Sequence, residues 1–142
     1  CMQSNGYTCG PAAAVTALRR LDLAAEEGEL AILAHTTPTG GTQPDDLLFA
    51  LEKKYGDQGL SVEYRYFPVL AALNAELEGN SAQVMAVVKY SFLVDHYVTV
   101  LEVLEEEVIV GDPLQGRSRW PRENFLRRWR YSGLVLRRAA GE

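Results

Sequence analysis

A cysteine near the start of the chain has surroundings that can activate a thiol. Cys9 stands where a loop enters a predicted helix at residues 10–20, and Pro11 suits the first turn of that helix because its missing N–H costs nothing there. The unpaired N–H groups and the dipole at a helix start favour a thiolate, and they can lower a cysteine pKa from about 8.5 to roughly 3.5–7.5. A buried structural cysteine is the alternative, since free cysteines are common in cores. The position of Cys9 alone does not separate the two interpretations.

A thiol nucleophile needs a base, and the sequence contains two histidines. His35 ends a predicted helix, where a cation interacts favourably with the helix dipole, and that role explains it. His96 opens an apolar strand predicted at residues 96–104, which would hold the imidazole rigidly. His96 is therefore the candidate base, and an ordinary residue at a strand end is the alternative.

The base in turn needs an acceptor that fixes the second nitrogen of its ring. Asp95 is adjacent to His96, but neighbours on a strand point to opposite faces. Asp112 ends the next predicted strand. A hairpin centred on Glu105 would place Asp112 opposite Val98, as a diagonal neighbour of the histidine on the same face. A register shifted by one residue would put the carboxylate on the wrong face, and because both faces are apolar the pattern leaves the register open. An ordinary turn residue is the alternative role for Asp112.

Acyl transfer through a thiol also creates a negatively charged oxygen that N–H donors must stabilise. The backbone N–H of Cys9 is one candidate donor, and the side-chain amide of Gln3, six residues upstream, is another. Taken alone, Gln3 would be interpreted as an exposed terminal residue. The four candidates together provide a nucleophile, a base, an orienting acid and oxyanion donors, which thiol acyl transfer requires.

Several segments carry motifs that occur in a fixed order along the chain. They are QSNGYTCGPAA at 3–13, GGTQPDDLLFAL at 40–51, HYVTV at 96–100, GDPLQG at 111–116 and the aromatic segment NFLRRWRYSGLVL at 124–136. These motifs resemble those of the bacteriocin-processing, double-glycine cysteine peptidases, specifically their stand-alone relatives of papain-like fold. The resemblance spans most of the chain.

The resemblance implies a papain-like fold and a role for each matched residue. The implied roles are nucleophile for Cys9, general base for His96, orienting acid for Asp112 and oxyanion donor for Gln3. Some relatives lack the cysteine and only bind leader peptides, whereas this chain retains it, so catalysis is expected. Transporter-linked members continue into a membrane domain and an ATPase, and this sequence ends at Glu142 with neither.

The sequence therefore predicts a cysteine peptidase that hydrolyses peptide bonds and needs no metal or organic cofactor. The expected partner is a peptide or protein substrate, such as a leader or propeptide. Two alternatives would use the same cleft: a catalytically silent peptide-binding domain, and a thiol acyltransferase or transpeptidase.

A third alternative is a basic adaptor surface in the C-terminal region. Residues 117–138 hold eight arginines and one acid, Glu123. The net charge of -5 argues against a nucleic-acid partner. An amphipathic helix at residues 122–130 explains the arginines if its apolar side chains turn inward. Those side chains are Phe125, Leu126 and Trp129.

The order of predicted elements favours an α+β class, with N-terminal helices packed on a C-terminal antiparallel sheet. Helices are predicted at residues 10–20, 25–34, 44–55, 68–78 and 122–130, and Gly56 is a plausible stop for the third. Strands are predicted at residues 61–67, 83–89, 96–104, 108–111 and 134–136.

Length and composition set the remaining bounds. The 142 residues suit one domain, 1–142, with a real core. The sequence has no apolar run of about 20 residues that would span a bilayer, and no secretory signal. The first residue is Cys1 rather than Met, from which we expect that an upstream segment was removed.

Membrane association is expected only through such a segment, and an extracytoplasmic or membrane-tethered location is favoured over a cytoplasmic one. A disulfide between Cys1 and Cys9 is an alternative that would consume the nucleophile.

Overall fold

The computed structural model describes residues 9–34, 44–78, 82–89, 95–112 and 116–138, and its elements are given for these ranges. The helices are α1 (Cys9–Arg20), α2 (Glu27–Leu33), α3 (Pro44–Tyr55), α4 (Leu70–Leu77) and α5 (Arg122–Arg128). The strands are β1 (Leu60–Tyr66), β2 (Ala82–Lys89), β3 (Asp95–Val103), β4 (Glu107–Asp112), β5 (Gly116–Pro121) and β6 (Trp129–Arg138). No helix within these ranges combines the length and the apolar composition that crossing a bilayer requires.

These strands form one sheet in the order β1-β6-β2-β3-β4-β5, and every neighbouring pair is antiparallel. The last strand, β6, lies between β1 and β2. Gly133 lets β6 approach β2 closely, since a Cβ at that position would lie 2.6 Å from the carbonyl oxygen of Met85. The predicted α+β class, with helices on an antiparallel sheet, is confirmed.

Both faces of the sheet are covered by helices. One apolar cluster joins α1, α2 and α3 to side chains such as Met85 and Val87 of β2. The other cluster joins α4 and α5 to Val84, Ala86 and Val88, which alternate with the first pair along the same strand. Packing of the N-terminal helices on the sheet was predicted, but the layer that α4 and α5 form on the opposite face was not. β2 is apolar on both faces, so each face needs a covering layer, and nearly every residue of the strand is buried as a result.

Helix α1 is buried because its side chains are small and apolar nearly all round. Ala12, Ala13, Ala14 and Ala17 are at most 1% exposed, so the helix axis can lie close to the sheet. The helix ends at Arg20, and Asp22, two residues further on, has a φ of 62°. The N–H of residue 23 donates to the carbonyl of residue 18, and the N–H of residue 22 to that of residue 19, which closes a Schellman motif. The prediction of this helix is confirmed to within one residue.

The end of the third helix was predicted correctly, because α3 ends at Tyr55, directly before Gly56. A 3₁₀ turn follows over Gly56–Gln58, and the chain reverses at Gly59, whose φ is 89°. The predictions of two strands were incomplete. Strand β5 was not predicted, because an edge strand with exposed arginines and a proline lacks an apolar pattern. The closing strand, predicted at residues 134–136, extends over Trp129–Arg138.

The Arg-rich region packs as the amphipathic-helix interpretation expects. Phe125 and Trp129 are buried and Leu126 is half-buried, although Trp129 begins β6 rather than ending the helix. Arg128 donates to the carbonyl of Lys89 and its guanidinium lies 4.5 Å from the ring centre of Trp120. These contacts bind the arginine within the molecule.

Candidate active site

The β3–β4 hairpin has the register that a turn centred on Glu105 predicts. Thr99 pairs with Gly111 and Val100 with Val110. One further step along the same register places Asp112 opposite Val98. The pairing shifts by one residue closer to the turn, so the register at this end depends on an irregularity that the sequence pattern does not show.

His96 and Asp112 meet through a buried hydrogen bond. The imidazole Nε2 lies 2.9 Å from the carboxylate Oδ1, and the two residues are 4% and 5% exposed. With Asp112 ionised, its carboxylate only accepts hydrogen bonds, and the Nε2 that faces it is then the nitrogen that carries the proton and donates it. This bond fixes the ring and makes Nδ1 the nitrogen through which a neutral imidazole would take up a proton. The predicted pairing of His96 with Asp112 is confirmed.

The sheet beside His96 is tightly packed. Val88 of β2 pairs with His96 on one side and with Trp129 of β6 on the other. Trp129 stacks on Tyr131 at 4.5 Å between ring centres, and its indole N–H donates to the carbonyl of Ser132. Burial lowers the local dielectric constant, which strengthens the hydrogen bond between the imidazole and the carboxylate.

Two contacts fix the direction in which α1 crosses the sheet. Near its start, the hydroxyl of Thr99 donates to the carbonyl of Ala13 at 2.8 Å. At its end, Arg20 donates to the side chain of Gln83 on β2. The neighbour of Gln83, Val84, pairs with Val100 in the second half of β3, so this contact lies toward the end of that strand. The helix therefore begins at the end of the sheet where β3 starts and β4 stops. Cys9 is its first residue, so its backbone lies at the same end as the His96–Asp112 pair.

The other predicted site residues lie outside the described ranges. Gln3 is such a residue, and the side chain of Cys9 is likewise not described. Cys1 and His35, for which the sequence suggested other roles, are also outside the described ranges. The structure thus brings together the candidate base and acid and shows where the helix of the candidate nucleophile begins. Across the described ranges, no group of three or more His, Cys, Asp or Glu side chains could hold a metal ion.

Sequence reasoning gave Thr99 and Gly111 no role of their own, yet both contact α1. Thr99 is fully buried and its hydroxyl is bonded to the helix. A Cβ added at Gly111 would lie 3.3 Å from the methyl carbon of Thr16. A threonine hydroxyl inside an apolar strand is a usable signal, because a buried hydroxyl has to find a partner.

Comparison with known proteins identifies the family. The model of the peptidase C39 family matches residues 1–141. The chain belongs to this family. Uncharacterized proteins of Methanothermobacter marburgensis and Methanothermobacter thermautotrophicus are each 35% identical to it, over 136 and 137 residues. These alignments cover 96% of this chain, and 86% and 87% of the respective relatives.

Solved structures of C39 peptidase domains share the fold. A double glycine motif protease from an AMS/PCAT transporter, in complex with its leader peptide, superposes with a TM-score of 0.79 at 20% identity, covering 98% of this chain and 90% of that one. The peptidase domain of Streptococcus ComA, a bifunctional ABC transporter of a quorum-sensing pathway, gives 0.78 at 20% identity, covering 97% and 96%. The papain-like fold of the double-glycine cysteine peptidases is thus confirmed for this C39 member.

Proposed function

We propose that this C39 member is an active cysteine peptidase in which Cys9 is the nucleophile, His96 the general base and Asp112 the acid that orients it. Gln3 completes the site as an oxyanion donor, and residues 1–142 act as one domain. The observation that carries the proposal is the buried hydrogen bond between Nε2 and Oδ1, made at the end of the sheet where α1 begins.

The mechanism uses the nitrogen that the carboxylate does not engage. Nδ1 of His96 takes the proton of the Cys9 thiol, and the thiolate attacks a peptide carbonyl. The side-chain amide of Gln3 and the backbone N–H of Cys9 stabilise the resulting oxyanion. The imidazolium then protonates the leaving amine, which breaks the peptide bond and leaves a thioester on Cys9. Water attacks the thioester, His96 accepts its proton, and the acid product departs as the thiol is restored.

The fold sets a geometric condition for this mechanism. Helix α1 packs on the face of β3 that carries Tyr97 and Thr99. His96 alternates with these residues along the strand, so its side chain starts from the opposite face. The sulfur and the imidazole would therefore meet around the end of the sheet, past the first residues of β3, rather than across its face.

The substrate class follows from the family and from one of its structural neighbours. The double glycine motif protease of the AMS/PCAT transporter was solved with a leader peptide. For this chain we propose a peptide or protein substrate that is cleaved in an extended segment, such as a leader or propeptide.

Thiol labelling tests the proposal without knowledge of the substrate. In a Cys1→Ser background, iodoacetamide should alkylate Cys9 rapidly at pH 6, with an apparent pKa well below the roughly 8.5 of a free thiol. Cys9→Ala in the otherwise unchanged chain leaves Cys1 as a control thiol, which should react at an ordinary rate.

Peptide libraries, including double-glycine leaders, then test cleavage. An ordinary thiol pKa for Cys9, together with peptide binding without cleavage, would point to the silent peptide-binding domain. Product transferred to an added amine would point to the acyltransferase.

A further inference from the structure

The contact between α1 and the β3–β4 hairpin joins the segments that carry all three candidate side chains of the triad. Ala13 lies four residues after Cys9, about 6 Å along the helix at roughly 1.5 Å per residue. Thr99 lies three residues after His96 on β3, and Gly111 immediately precedes Asp112 on β4. Thr99 and Gly111 are paired across the two strands, so these two contacts of the helix are made at one cross-strand pair.

The hydroxyl of Thr99 fixes the position of α1 along the strand. A helix of alanines on an apolar strand offers few features that prevent sliding or rotation, because small apolar contacts are not directional. The buried hydrogen bond from Thr99 to the carbonyl of Ala13, at 2.8 Å, selects one carbonyl of the helix. It therefore sets both the rotation of the helix about its own axis and its position along β3.

The absence of a side chain at Gly111 fixes how closely the helix approaches. A Cβ there would lie 3.3 Å from the methyl carbon of Thr16 and 3.9 Å from Cβ of Thr99. The first distance is tighter than ordinary van der Waals contact, so an added methyl group would require Thr16, and with it α1, to shift by a few tenths of an ångström. Gly111 has no positive φ, so space rather than backbone conformation accounts for the glycine.

We propose that Thr99 is a positioning residue, which together with the Thr16–Gly111 contact aligns the N-terminus of α1 with the His96–Asp112 pair. The proposal rests on the function proposed above. A displacement of about 1 Å between reacting groups can lower a rate by about 10²-fold, so loss of one directed contact is enough to matter.

Thr99→Val and Thr99→Ser form the matched test, made in the Cys1→Ser background. Valine keeps the branched shape without the hydroxyl, and Ala13 keeps its intrahelical acceptor bond, so the fold should be preserved. Thr99→Val is expected to raise the apparent pKa of the Cys9 thiol and to slow its alkylation at pH 6 at least about tenfold. On a cleaved peptide it should lower kcat by a corresponding factor and change KM less. Thr99→Ser keeps the donor and should restore the pH profile of the parent protein.

A compensating pair of substitutions tests the approach of the helix. Gly111→Ala should slow alkylation of Cys9 and lower the midpoint of thermal unfolding. Adding Thr16→Ser removes the methyl carbon that the new Cβ would meet, so it should recover much of both losses. No recovery in the double variant would count against the contact as the cause.

Alkylation does not require turnover, so the two proposals fail separately. An ordinary thiol pKa in the parent protein defeats the proposed peptidase. A low pKa in the parent protein that Thr99→Val leaves unchanged, with folding intact by circular dichroism, overturns the positioning role of Thr99 and leaves the peptidase standing.

Discussion

The His96–Asp112 pair shows how much one buried hydrogen bond can determine. Two residues sixteen apart in sequence are joined at 2.9 Å, and both are almost fully excluded from solvent. The carboxylate accepts from Nε2, which selects the tautomer and the orientation of the ring. A hydrogen bond to a charged group such as this carboxylate typically contributes about 1.5–3 kcal/mol.

Substitution of Asp112 separates orientation from charge. Asp112→Ala removes the acceptor, and we expect kcat/KM on a cleaved peptide to fall by about 10²–10⁴-fold, the usual contribution of a positioned acid or base. Asp112→Asn keeps an Oδ1 that can accept from Nε2, so it should retain clearly more activity than the alanine variant. The measurement is steady-state kinetics on both variants, with urea unfolding as the control for stability. Equal losses would mean that the charge, and not the orientation, is what matters.

At the scale of elements, an ion-pair network fixes α4 against the sheet. Glu76 of α4 accepts hydrogen bonds from Arg65 of β1 and from Arg137 of β6, two neighbouring strands. Glu63 adds a second acid to the network, with its carboxylate Oε1 3.6 Å from a guanidinium nitrogen of Arg137. Burial alone would raise the pKa of Glu76, but the hydrogen bonds and charges of the two arginines outweigh it and hold the pKa below its usual value.

This lowered pKa gives a stability prediction with a definite sign. The ionised Glu76 stabilises the fold above the pKa of the unfolded chain, about 4.5, and that contribution is lost as pH falls through the lower pKa of the folded state. Glu76→Gln should therefore reduce the free energy of unfolding at pH 7 by about 1 kcal/mol, and the difference from the parent protein should shrink as the pH falls below about 4.5.

Urea denaturation at pH 7, 5 and 3.5 measures this difference. Glu78→Gln is the control, because Glu78 is exposed at the end of the same helix. The control should show a small difference that varies little over the same range. If the difference in free energy of unfolding between Glu76→Gln and the parent protein did not change with pH, the lowered pKa of Glu76 in the folded state would be contradicted.

At the scale of the whole molecule, one sheet separates two apolar clusters. Helices α1 to α3 pack on one side, while Trp120 and Trp129 lie in the cluster on the other. β2 contributes to both, since Met85 faces one cluster and Val84 the other. Because the same strands form the wall of each cluster, neither layer can lose its packing without disturbing the other.

Equilibrium unfolding tests this single-domain arrangement. Tryptophan fluorescence reports one cluster, and far-UV circular dichroism reports mainly the longer helices of the other. The two transitions in urea should coincide, with a slope of about 1–3 kcal/mol/M. Leu47→Ala, a fully buried position in α3, should cost about 2–5 kcal/mol and shift both signals equally. Fluorescence that stays at the midpoint of the parent protein would indicate two independently folding layers.

Sequence by itself was sufficient for several elements and for the choice of candidates for the buried pair. Helix α3 was predicted with its observed bounds, because Pro44, two acids and an apolar stripe mark it locally. The argument against Asp95 followed from strand alternation, a property of the backbone that needs no tertiary information, whereas the place of Asp112 depended on the register. Strand β5 and most of β6 were not predictable in this way, because their side chains are matched to neighbouring strands rather than to a local period.

Tertiary structure alone decided the register and the relation between the first helix and the hairpin. With both faces of β3 and β4 apolar, a shift by one residue would have left the pattern equally satisfied. The observed register pairs Thr99 with Gly111, and at that pair the strand offers α1 a hydroxyl to bind and a gap to occupy. Periodicity specifies which side chains share a face within one element, whereas contacts between elements distant in sequence depend on which surfaces are buried together.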